Sequence, residues 1–62
     1  MNVRKYIACC DDGHDTIEFE FYSNHRANSK PNKEDAKREE IRKYGWRRAT
    51  QIEIVSTYLL ND

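Results

Sequence analysis

Apolar and polar residues alternate most clearly over residues 15–23, where Ile17, Phe19 and Phe21 interleave with Glu18, Glu20 and Tyr22. A period of two is the signature of a strand with one buried face. Residues 3–10 read as a partner strand, and the intervening "CDDGHD" carries Asp12-Gly13, a strong hairpin signal. With Asp12-Gly13 as the two-residue loop, Tyr6 faces Phe19 and Ala8 faces Ile17 on the core side. Lys5 then faces Glu20 on the other side, and a one-residue slip would set Lys5 against Phe19.

A helix is predicted over residues 33–44, with Asn32 as N-cap, Glu34 and Asp35 in the first turn and Gly45 just past the end. Nine of these twelve residues are charged. Glu34 and Arg38, and Glu39 and Lys43, have the spacing of i,i+4 pairs. Ala36, Ile41 and Tyr44, with Trp46 beyond, form the thin stripe left for burial, so most of the helix girth should meet water. Residues 50–60 read as a third strand, with Ile52, Ile54 and Tyr58 on one face, interrupted by Ser56, and Val55, Thr57 and Leu59 on the other.

The element order is β-β-α-β. A right-handed crossover through the helix sets the third strand parallel to the second and antiparallel to the first. The expected fold is therefore α+β: a three-stranded antiparallel sheet of order 2-1-3 with one helix packed on one face. The whole chain, residues 1–62, forms one domain, and a chain this short buries only about 60% of its unfolded surface. A deep catalytic cleft has little room.

One helix covers one face, so Val3, Ile7, Cys9, Tyr22, Val55 and Leu59 are expected on an open face, diluted by Lys5, Glu18, Glu20, Glu53 and Thr57. Sheets of this kind are usually polar on the wet side, and apolar area there marks an interface. The expected partner is another protein or a second copy of the chain. The apolar end of the third strand, Tyr58-Leu59-Leu60, would extend the surface.

Charge supplies an alternative. The formal net charge is zero, but residues 1–22 carry −3, residues 23–48 carry +5 and residues 49–62 carry −2. The basic middle contains "HRANSKPNK", a long polar connection for so small a domain, running into a helix start. Arg26, Lys30 and Lys33 with that helix end suit an anion such as nucleic-acid phosphate, with Arg42, Lys43, Arg47 and Arg48 as secondary contacts. "YGWRR" sets an aromatic beside arginines, as nucleic-acid surfaces do. Here, however, Trp46 is expected to close the core, and Arg47 and Arg48 to neutralise the hairpin acids.

The remaining chemistry is sparse. Cys9 and Cys10 are adjacent, so in a strand they point to opposite faces and pair poorly with each other. Free thiols and a cytoplasmic setting are expected. Cys9 or Cys10 with His14 and an aspartate could offer metal ligands, yet the spacing fits no structural zinc pattern. His14 with Asp15, and a distant His25, lie on a turn and a loop rather than on the rigid floor that catalysis needs. No enzyme activity, metal or cofactor is expected. Residues 1–10 lack the apolar core of a signal peptide, and no apolar run approaches the ~20 residues of a membrane span.

In "YSNHRANSKPNKEDAKREEIRKYG", and in its brevity, the chain resembles the small orphan proteins of bacteriophages and mobile elements. That resemblance implies action by binding, to a host machine or to nucleic acid. A three-stranded sheet with one helix is also similar to the arm-binding domains of phage integrases, where the sheet reads DNA. There the helix follows all three strands; here it falls between the second and third, and no functional residue is carried over.

Overall fold

The computed structural model describes residues 2–60. Three strands, β1 (Arg4–Asp11), β2 (Thr16–Ser23) and β3 (Glu53–Leu59), and two helices, α1 (Lys30–Tyr44) and α2 (Trp46–Ala49), follow in the order β1-β2-α1-α2-β3. The sheet has the order β2-β1-β3 with both pairings antiparallel, and α1 packs on one face, so the chain is an open-sheet α+β fold.

The hairpin register differs by two residues from the expected one. Tyr6 pairs with Phe21, Ala8 with Phe19 and Cys10 with Ile17. The Asp12 N–H donates to the Asp15 carbonyl at 3.2 Å, which makes Gly13 and His14 the central loop residues. Gly13 alone in the turn has positive φ, 94°, at the first central position, as a type II′ loop requires. Asp side chains reinforce it. Asp11 Oδ1 accepts from the Gly13 N–H at 2.9 Å, and Asp12 Oδ1 accepts from His14 at 2.9 Å and Asp15 at 2.7 Å. A shift of two preserves the faces, so Tyr6, Ala8, Cys10, Phe19 and Phe21 still build the core.

Helix α1 begins three residues earlier than expected. Ser29 is its N-cap, accepting the Asn32 N–H at 3.2 Å, and Pro31 sits in the first turn, where its missing N–H costs nothing. Asn32 instead lies inside, fully buried. Its Oδ1 accepts from Thr57 Oγ1 at 2.6 Å, and its Nδ2 donates to the His25 carbonyl at 3.1 Å. Asn28, at φ 65°, completes the latch: its N–H donates to Thr57 Oγ1 at 2.8 Å, and its Oδ1 accepts the Thr57 N–H at 2.7 Å. The polar connection, residues 24–29, is therefore pinned to β3. At the β2 end, Ser23 Oγ donates to Asp35 Oδ2 at 2.7 Å.

The buried stripe of α1 is Asn32, Ala36 and Glu40, with Tyr44 partly buried; Ile41 faces out at 39% exposure. Glu40 is enclosed because Lys37 meets it. Lys37 Nζ donates to Glu40 Oε1 and to the Ala49 and Ile52 carbonyls, both at 3.1 Å, so one ammonium ties α1 to the end of α2 and the start of β3. The surface ion pairs are spaced i,i+3, Asp35 with Arg38 and Glu39 with Arg42, rather than the expected i,i+4.

Helix α2 was not anticipated. Gly45, at φ 87° and ψ 150°, turns the chain in a region open almost only to glycine, and its N–H ends α1 on the Ile41 carbonyl at 2.8 Å. Ala49 is buried while Trp46 stands 71% exposed, so the tryptophan does not close the core as expected. Ile52, 2% exposed, takes that part.

Candidate interaction surfaces

The face of the sheet opposite α1 is set by alternation. From β1 it takes Lys5, Ile7 and Cys9, from β2 Glu18, Glu20 and Tyr22, and from β3 Ser56 and Tyr58. Val3 precedes β1 at 63% exposure; Tyr22 is 63% exposed and Tyr58 48%. Ile7 and Cys9 are half-buried on the central strand. No described element covers this face.

Strand β3 departs from strict alternation. Cys9 pairs with Ser56 and Cys10 with Ile54, which leaves Val55 as an extra residue in a β-bulge. The bulge restarts the alternation. Thr57 and Leu59 then face inward opposite Ala8 and Tyr6, and Tyr58 faces outward beside Ile7. Of the expected interface residues, Ile7, Tyr22 and Val55 (55% exposed) lie on the open side, and Val3, just before β1, is exposed. Leu59 does not: it packs against the core, and Tyr58 takes the place assigned to it. Strict alternation over residues 50–60 carries the wrong face past Ser56, the polar interruption at which the bulge falls.

The electrostatics of this face are lopsided. Glu18 and Glu20 line the β2 side, and Asp11 and Glu53 face each other at one end. Lys5 is the one ammonium among them, 3.5 Å from Glu20 and 5.7 Å from the Tyr22 ring centre, and the Glu20 charge raises its pKa. Cys9 Sγ lies 3.7 Å from Glu18 Oε2; burial first, and the Glu18 charge second, raise its pKa. Cys10, on the core side, is pushed up to about 12, chiefly by burial and then by the neighbouring Glu40 carboxylate. The two thiols therefore sit on opposite faces, both free and both held protonated. Among the described residues no group of three or more His, Cys, Asp or Glu side chains could hold a metal ion.

The basic residues do not converge. Lys30 and Lys33 line a surface groove of about 550 Å³ between the start of α1 and β3, but Glu34 and Glu53 line it too. Few helix-start donors remain for an anion. Pro31 has no N–H, the Asn32 N–H goes to Ser29 Oγ, and the Lys33 N–H goes to the Ser29 carbonyl at 3.0 Å. Arg26 is exposed, and its carbonyl accepts from Ser29 Oγ at 2.6 Å. Arg47 and Arg48 lie beyond the far end of the fifteen-residue α1, which spans about 22 Å. Arg48 donates to Asp12 Oδ2 at 3.0 Å, as expected for neutralisation of the hairpin. Arg47 is exposed and forms no ion pair among the described residues.

No helix is long and apolar enough to cross a membrane. No family model, curated protein or solved structure matches the chain.

Proposed function

We propose that the chain is a non-enzymatic interaction protein, of the kind that bacteriophages and mobile elements encode, and that it binds a protein partner through the open face of its sheet. The observation that carries this is the cluster of Ile7, Tyr22, Val55 and Tyr58, with Val3, on a face without a covering layer. Apolar and tyrosine side chains at the centre of a patch, ringed by charge, are the anatomy of a binding surface. The rim favours one type of occupant. Asp11, Glu18 and Glu20 lie around the patch against Lys5, so the complementary segment carries apolar anchors flanked by Lys or Arg. A second copy is the rival occupant, and a two-fold contact there would bring like carboxylates together.

Tyr58→Glu and Ile7→Glu are expected to weaken capture of the partner from nuclease-treated host lysate, each by about 2 kcal/mol or roughly thirtyfold in Kd. Lys30→Glu, in the groove on the other side, should leave capture unchanged. Equal capture by all three variants refutes the assignment. Sedimentation that shows a dimer broken by Tyr58→Glu assigns the face to self-association instead.

A further inference from the structure

We propose that Trp46, flanked by Lys43 and Arg47, is a stacking site for the bases of single-stranded nucleic acid, independent of the sheet face. Among the described residues Trp46 is the most exposed of the large apolar side chains, at 71%. Its backbone is nevertheless fixed. Gly45 sets the bend, the Thr50 N–H donates to the Trp46 carbonyl at 3.1 Å, and the Ala49 N–H donates to the Gly45 carbonyl at 3.0 Å. Ala49 is buried, and Lys37 Nζ holds its carbonyl. The ring is thus carried in water on an anchored turn. An exposed tryptophan on rigid backbone loses little freedom when something stacks on it.

The charge around it selects the ligand. Arg42 is engaged by Glu39 and Arg48 by Asp12, while Lys43 and Arg47 are exposed and have no carboxylate within ion-pair distance among the described residues. Exposed cations without a direct ion pair, close in sequence to an open aromatic ring, match an unstacked base with its phosphates, although Glu39 on α1 still feels the Lys43 charge. A duplex hides its base faces from such a ring. Any base offers a π-face, so the site should tolerate sequence. The sheet face lacks this combination, since its tyrosines lie among glutamates.

Trp46 is the sole tryptophan, so its fluorescence reports on the site directly. Titration of the full chain with short oligothymidylate or oligouridylate at low salt should give saturable quenching. The affinity should fall with salt with a log–log slope of about −1 to −2, for two phosphates on Lys43 and Arg47. Anisotropy of a labelled oligonucleotide should show Trp46→Ala binding about tenfold more weakly, Trp46→Phe close to the parent, and Lys43→Glu with Arg47→Glu binding worst. Circular dichroism of each variant confirms that it is folded. The proposal is overturned by absent quenching, by Trp46→Ala binding as tightly as the parent, or by an equal response to polyglutamate. A blue shift on anionic vesicles without any oligonucleotide response likewise overturns it and gives the site to a lipid surface.

Discussion

Asn32→Ala tests whether the latch between the connection, α1 and β3 holds the fold together. The side chain is fully buried and makes two hydrogen bonds, Oδ1 with Thr57 Oγ1 and Nδ2 with the His25 carbonyl. Removing them costs about 1 kcal/mol each, and the Thr57 hydroxyl and the His25 carbonyl left behind raise the total to ~2–4 kcal/mol. A domain of this size has only ~3–9 kcal/mol to lose, at roughly 0.05–0.15 kcal/mol per residue. The urea midpoint, followed by circular dichroism, should therefore drop by about 2 M or more, taking an m-value of ~1 kcal/mol/M. Thr57→Val removes the same central hydroxyl and orphans the Asn28 N–H as well. In a double-mutant cycle the pair should couple by about 1 kcal/mol or more. A loss under ~1 kcal/mol for Asn32→Ala, or additivity within ~0.5 kcal/mol, refutes the latch.

Two further predictions concern pH and charge. The raised pKa of Cys10 favours the folded state while the thiol is protonated, so that contribution is complete below the ordinary thiol pKa of 9.0 and fades as pH rises toward about 12. Alkylation of the native protein should accordingly modify half-buried Cys9 well before Cys10, and equal rates at pH 9 would contradict the burial. Asp12 is held down to about 2 by the Asp15 and His14 N–H groups and then by Arg48, so its contribution is present above the ordinary carboxylate pKa and lost as pH falls toward about 2. Arg48→Ala should raise the Asp12 pKa only partway, with the turn amides holding the rest; NMR titration of the carboxyl carbon measures it, and full return to the ordinary value would refute the order of causes.

The sheet order was legible because few topologies satisfy two antiparallel pairings and a right-handed crossover, and the β2 alternation is unbroken. The hairpin offset was not, since Asp12-Gly13 and Gly13-His14 are both good loops and both keep the same faces. Ser29 and Asn32 are equally good caps; what decides between them is Thr57, a contact distant in sequence that draws Asn32 inside. Glu40 shows the same limit. Its burial depends on Lys37, which is held by carbonyls of Ala49 and Ile52, and no pattern within α1 announces that. Among candidate site residues, Ile7, Tyr22 and Val55 followed from period two alone. Tyr58 and Leu59 exchanged roles through the bulge, and Trp46 was lost to the surface because Gly45 starts a new turn that buries Ala49 instead.

The supernumerary Val55 also changes how the third strand answers to length mutations. Excising it would leave each partner across the ladder as it is, with Ser56 still beside Cys9 and Ile54 still beside Cys10, and merely straighten the backbone. Losing Ser56 would have the same effect, with Val55 moving opposite Cys9, whereas shortening β3 by one farther along, from Thr57 to Leu59, would turn over side chains next to the cut. The bulge is thus where β3 can lose a codon without turning the domain inside out.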